Sequence, residues 1–168
     1  MTSPKSKEPT YRYRLATEAF APAILDVLLE VAPEIPVDTH DGRKEFLAAQ
    51  IHRDCFYRGV WIALDHNNQI VGFLMAEPQK QEIKLPYGGV RKRHREHHIS
   101  RKLMDKAKAM AKIGSVPLTA VVNHANKSDM ASRLLKLGFT KVGAGHWPNE
   151  DTFRWQPGPT DVQGGGLP

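Results

Sequence analysis

Residues 90 to 104 read Val-Arg-Lys-Arg-His-Arg-Glu-His-His-Ile-Ser-Arg-Lys-Leu-Met. An apolar strand end runs into a short basic loop and then into a helical stretch. This layout makes an anion site. The first turn of a helix leaves backbone N–H groups free, and the helix dipole favours negative charge beside them. From Gly89 to Ile113 there are nine Lys and Arg against Glu96 and Asp105, a local charge of +7 in a chain of net +6. The remainder is near neutral, so the basic character reads as a site more than as a general coat. The segment is expected to meet phosphate, nucleic acid or an acidic partner. It lacks the interleaved aromatics that stack single strands, which makes nucleic acid the weakest of the three.

Other residues carry metal-ligand atoms without a workable pattern. His94, His97 and His98, with His52 and Cys55, could be gathered by a fold, but Arg91, Arg93 and Arg95 would repel a cation from the loop histidines. No metal site is expected. Cys55 stands beside Phe56 and Tyr57 and reads as a small buried residue more than as a nucleophile. As the only cysteine it forms no internal disulfide, which fits a reducing compartment.

The 168 residues, 40% hydrophobic and 25% charged, suit one domain with an ordinary core. No apolar run approaches the ~20 residues that span a bilayer. Residues 1–9 hold no apolar signal core, so the expected location is cytoplasmic. Residues 1–10 read as a flexible tail, 11–155 as the domain, and 156–168, rich in Pro and Gly, as a second tail.

The elements that must hold the basic loop follow from periodicity and punctuation. Tyr11 to Ala16 alternates as a strand, and Thr17 and Pro22 open a helix carrying Ile24, Val27, Leu28 and Val31. A second helix starts at Asp41-Gly42 and closes near Gly59. Val60–Leu64 and Gln69–Ala76 form a hairpin across Asp65-His66-Asn67-Asn68. Glu82–Val90 is a strand interrupted by Pro86 and Gly88-Gly89, which predicts a bulge or a splayed end. Ile99, Leu103, Ala107 and Met110 stripe a third helix. Pro117–Val122 is an apolar strand. Asn126 or Ser128 caps a fourth helix that Gly138 ends. Phe139–Val142 and Thr152–Trp155 pair across Trp147 to Glu150. The order is β-α-α-β-β-β-α-β-α-β-β, an α/β arrangement.

On these residues the chain resembles the GNAT superfamily of acetyl-CoA-dependent N-acetyltransferases, over about residues 11–155. The family's pyrophosphate loop, Val-x-Pro-x-x-Arg-Gly-x-Gly-x-Gly/Ala-x-x-Leu, lines up on Val90, Arg95, His98, Ser100 and Leu103. An Asn-x-x-Ala signature and a Leu-Gly-Phe helix end line up near Asn126 to Phe139, and Arg14 to Thr17 resembles the family's opening strand. Lys92 stands in place of proline, Glu96 and His98 in place of glycines, and Ser100 in place of Gly or Ala. The tyrosine that often protonates the leaving thiolate falls on Leu134, which is no acid.

The resemblance implies a GNAT-like fold: a central mixed sheet of about six to seven strands with about four flanking helices. It implies acetyl-CoA as co-substrate, bound by Val90, Arg95, Glu96, His97, His98, Ile99, Ser100 and Arg101, with Asn123 toward the pantetheine amides. Glu82 is the nearest carboxylate for a base, Tyr87 a possible acid, and His124 a possible proton shuttle. The implied activity is transfer of an acetyl group to an unidentified amine by direct attack in a ternary complex. Glu34, Asp38 and Asp41 would draw a cationic acceptor. The alternative is a degenerate GNAT-like structural or interaction module, such as a phage virion component, with a protein partner holding the tails.

Overall fold

The computed structural model describes residues 7–35, 37, 39 and 41–158. The tail assignments at residues 1–6 and 159–168 lie outside the described residues, as do Asp38 and the side chain of Asp41.

Four helices flank two sheets. The first sheet has the order β1-β2-β3-β6, from β1 (Arg12–Leu15), β2 (Val60–Leu64), β3 (Ile70–Met75) and β6 (Gly88–Val90), all antiparallel. The second has the order β4-β5-β7-β9-β8, from β4 (Glu77–Pro78), β5 (Ile83–Lys84), β7 (Leu118–Asn123), β9 (Glu150–Trp155) and β8 (Thr140–Ala144). The chain passes without a turn from β3 into β4, and residues 85–87 join β5 to β6. Counted as continuous strands these are the expected seven. The expected strand from Glu82 to Val90 is split because its two ends serve different sheets.

Strands β2 and β3 are buried on both faces, which explains their near-continuous apolar sequence. Helix α1 (Ala21–Val31) covers one face with Ile24, Val27, Leu28 and Val31, all at most 3% exposed. Helix α2 (Asp41–Phe56) adds Leu47, Ile51 and Cys55 to the same cluster. Helix α3 (Ile99–Gly114) covers the other face with Ile99, Leu103, Ala107 and Ala111, one turn apart. The short α4 (Met130–Lys136) seats Leu134 in that second cluster. Its end is capped by Lys108, whose Nζ donates to the Leu137 carbonyl at 2.7 Å.

The hairpin turn forms as its residues dictate: the Asp65 carboxylate accepts from the amides of Asn67 and Gln69, and Asn68 takes a φ of +61°. Gly138, at φ +93°, stops α4 as expected. The caps differ. Thr17 makes no side-chain cap, and α4 starts from Asp129 at φ +58°. Asn126 instead accepts from the amide and hydroxyl of Ser128, closing a turn before the helix.

The opening between the sheets positions the site. β5 pairs in parallel with β7, and Leu85 N donates to Thr119 O at 2.9 Å. Pro86 then brings no donor, and β6 leaves β7 to pair with β3. Gly89 permits this course. A Cβ there would stand 2.7 Å from Val31 Cγ2, so α1 lies on β6 only because position 89 has no side chain.

Candidate functional site

A cleft of about 850 Å³ occupies the opening between β6 and β7. Tyr87, Gly88 and Val90 form one wall, Ala120 to Asn123 the other, and Leu103 and Leu134 an apolar floor. The loop before α3 and the start of that helix close one end, with Arg95, Glu96, His98, Ile99 and Ser100 in the lining. Glu34, Ile35 and Val37, beyond α1, border it on the α1 side.

The wall on β6 has polar backbone to offer. Met75 N donates to Tyr87 O, and Arg91 N donates to Val71 O, each at 2.8 Å. Alternation along an antiparallel ladder therefore turns the amides of Gly88 and Val90 away from β3, toward the cleft. The Val90 carbonyl already accepts from Arg95 Nε at 3.2 Å.

The loop leads into a helix start with free backbone amides. The first intrahelical bond runs from Lys102 N to His98 O, so the amides of Ile99 to Arg101 have no intrahelical acceptor. His98 sits before the helix at φ +59° and makes no side-chain cap, and Glu96 has φ +71°. These are the two positions aligned with the family's glycines. The left-handed bends persist without glycine, at a cost of about 1–2 kcal/mol each. Tyr11 braces the loop through its hydroxyl, 3.0 Å from His94 Nδ1. Burial, with the neighbouring cations next to it, keeps His94 below the usual histidine pKa.

Much of the loop's positive charge is already paired. Arg91 lies 3.3 Å from Glu30, which also accepts from Lys92 N. Arg95 forks onto Glu34 at 2.9 and 3.0 Å, and Lys92 Nζ is 3.8 Å from the same carboxylate. The Arg95 hydrogen bond holds the Glu34 carboxyl below its ordinary pKa. The sequence did not foretell this pairing, although acids at positions 30 and 34, at the end of α1 and in the turn after it, were the available signal. Arg133 was missed altogether. Its Nη2 donates to Ser100 Oγ at 2.8 Å, placing an exposed guanidinium at the open end of α3. Glu150 was also missed. It lines the cleft opposite Asn123 in the β7–β9 register, and Trp147 N donates to its Oε2 at 3.3 Å.

Of the residues read from the sequence, Tyr87, Val90, Arg95, Glu96, His98, Ile99, Ser100 and Asn123 come together in the cleft. Asn123 spends its side-chain oxygen on Ala125 N at 2.8 Å. His97 and Arg101 belong to the loop and first turn but not to the lining. Glu82 is not brought to the cleft. It accepts from Thr119 Oγ1 at 2.8 Å and faces Lys84. His124 is also outside the lining, 3.2 Å from Asp151. Leu134, 1% exposed, gives the floor no acid. Burial pushes the Cys55 thiol up to about 11, which leaves it inert. Among the described residues no three His, Cys, Asp or Glu side chains gather as metal ligands. No described helix is long and apolar enough to cross a membrane.

No family model and no curated protein matches the chain by sequence. Solved structures do match in shape. PaiA N-acetyltransferase from Thermoplasma acidophilum, solved with coenzyme A, superposes at a TM-score of 0.70 with 12% identity, covering 88% of this chain and 99% of that one. A GNAT-family acetyltransferase from Staphylococcus aureus gives 0.72 with 16% identity over 88% and 99% of the two chains. Diaminobutyrate acetyltransferase from Paenibacillus lautus, solved with L-2,4-diaminobutyric acid and coenzyme A, gives 0.67 with 19% identity over 89% and 96%. The chain has the fold of the GNAT acetyltransferases, as its sequence led us to expect.

Proposed function

We propose that the cleft binds acetyl-CoA and transfers its acetyl group to an amine. The observation that carries this reading is the divergence of β6 from β7 beside a helix start with unused amides. An extended, amide-bearing chain fits between the strands while its diphosphate meets the amides of Ile99 to Arg101. Arg133 supplies the guanidinium there, because Arg95 is committed to Glu34.

In this reading the amine nitrogen attacks the thioester carbonyl, the C–S bond breaks, and the thiolate leaves. The Gly88 and Val90 amides are the dipoles available for the oxyanion. Tyr87, the only tyrosine lining the cleft among the described residues, is the donor for the departing sulfur. Glu150 accepts the amine proton through water. Of the other carboxylates in the lining, Glu34 is held by Arg95, while Glu96 and Asp129 belong to the loop and the α4 start. Positioning supplies much of the rate, so a floor without an acid at Leu134 is compatible with turnover.

Thiol release from acetyl-CoA, followed against a panel of primary amines, tests the proposal. Amine-dependent release that falls by about 10²-fold or more in Tyr87→Phe supports it. Failure to bind acetyl-CoA or to release thiol with any amine leaves the fold as an interaction module.

A further inference from the structure

A diphosphate at the open end of α3 uses only the first turn of that helix, yet the basic character continues along it. α3 carries Arg101, Lys102, Lys106, Lys108 and Lys112 against Asp105. The cations of the loop and helix fall into two groups. Arg91, Lys92 and Arg95 pair with Glu30 and Glu34, and Lys108 is spent on the Leu137 carbonyl. Arg93, Arg101, Lys102 and Lys112 are exposed, and neither they nor the half-buried Lys106 have an acidic partner among the described residues. Lys106 and Lys112 stand about 8 and 17 Å along the axis from Arg101, at 1.5 Å per residue. A diphosphate at the helix start does not reach them.

The aromatic rings that the basic segment lacks come from β1 and β2. β1 is the outer strand of the first sheet, with β2 on one side of it. Tyr13 on β1, and Tyr11 just before it, turn to the α3 side and stay half-buried at the rim of the cluster under that helix. Trp61 on β2 joins them. Its indole N–H donates to Met110 Sδ at 2.9 Å, and Lys106 Nζ stands 5.5 Å from its ring centre. Lys102, Lys106 and Met110 are four residues apart and so share one flank of α3, the flank toward β1. At the helix start the Tyr11 ring lies 5.9 Å from that of His97. A row of rings thus follows the β1 side of α3, from His97 to Trp61.

We propose that this groove between α3 and β1 binds single-stranded nucleic acid, with phosphates on Arg93, Lys102, Lys106 and Lys112 and bases against Tyr13 and Trp61. Cations without partners beside half-exposed rings select this ligand. An acidic protein would use the cations and leave the rings idle, and a duplex keeps its base faces stacked inside. The 16 residues of α3 extend about 24 Å, room for about four nucleotides or more. The acids at hand oppose it little. Asp65, near Tyr11, is turned to the amides of Asn67 and Gln69, which leaves Asp105 as the one acid on the helix.

The test is an anisotropy titration of the full chain with labelled dT and rU oligomers of about eight nucleotides. A DNA hairpin duplex and poly-aspartate run in parallel. Single strands should bind more tightly than either control. The logarithm of affinity should fall against the logarithm of salt with a slope of about −3, from four phosphates at about 0.7 each. Lys102→Glu with Lys112→Glu, both exposed, should keep the melting temperature, flatten the slope by about 1.4 and weaken binding about tenfold or more. Tyr13→Leu should weaken it about fivefold or more through lost stacking. Saturating acetyl-CoA should leave the strand bound. Tighter binding of rU than of dT assigns RNA, and the reverse assigns DNA. No binding, equal binding of the hairpin or of poly-aspartate, unchanged affinity in the lysine pair, or release by acetyl-CoA would overturn the proposal.

Discussion

Arg95 and Glu34 form a fork, with guanidinium nitrogens 2.9 and 3.0 Å from the two carboxylate oxygens. Arg95 also donates to the Val90 carbonyl, and the Glu34 carbonyl accepts from Lys127 N at 2.8 Å. One residue in the turn after α1 thus touches both sides of the cleft. Arg95 is thereby a brace for the loop, while Arg133 stands exposed at the start of α3.

Glu34→Gln should lower stability by about 1 kcal/mol near neutral pH, a modest figure because the pair is partly exposed and screened. Glu34 has a depressed folded pKa, so its contribution is present above its unfolded pKa and lost as pH falls through the folded one. Thermal melts of both proteins should differ by roughly 2–4 °C near pH 7 and converge in acid below the ordinary carboxylate range.

Arg133→Ala should weaken acetyl-CoA by about 1.5–3 kcal/mol, the usual worth of a charge-assisted hydrogen bond. Its melting temperature should hardly move, since the side chain is exposed. Arg95→Ala should do the reverse, lowering the melting temperature more than the affinity. Calorimetry and melts on the same two variants separate brace from ligand contact.

Glu96→Gly should tighten acetyl-CoA roughly fivefold by removing a like charge from beside the phosphates, worth about 1 kcal/mol near water. Stability should move by less than about 1 kcal/mol. Relief of the left-handed bend is offset by the entropy that glycine loses on folding. A titration with denaturant checks the second point.

Gly89→Ala should destabilise by about 1–3 kcal/mol, because its Cβ meets Val31 Cγ2 at 2.7 Å in a packed core. Gly42→Ala, with nothing within 4 Å, should instead stabilise by up to about 1 kcal/mol in its helix. Urea midpoints of the two variants should shift in opposite directions.

The strands, helices and the splay at Pro86 and Gly88-Gly89 were legible because each follows from local chemistry: alternation, helical spacing, missing donors. The basic loop before α3 was legible as a strand–loop–helix junction for the same reason. Glu82 was misplaced because a strand's period gives which face a residue takes, not which sheet its strand joins. Glu82 precedes the divergence and turns to Thr119, whereas Tyr87 follows it and reaches the cleft. His124 is taken by Asp151 across the β7–β9 pair, a contact 27 positions away in the chain. Arg133 and Glu150 carry no motif, and only the docking of α4 and β9 brings them to the cleft. The Glu34–Arg95 fork spans 61 positions and is set by Gly89 letting α1 approach β6.

The central claim is that the cleft between β6 and β7 is an acyl-CoA site. Calorimetric titration of the folded chain with acetyl-CoA, at about 50 and about 150 mM salt, tests it most directly. The account predicts a single site with an affinity between about 1 μM and 1 mM, the usual range for such substrates. Binding should weaken at the higher salt and in Arg133→Ala. No binding at either salt, or binding that Arg133→Ala and salt leave unchanged, would contradict it.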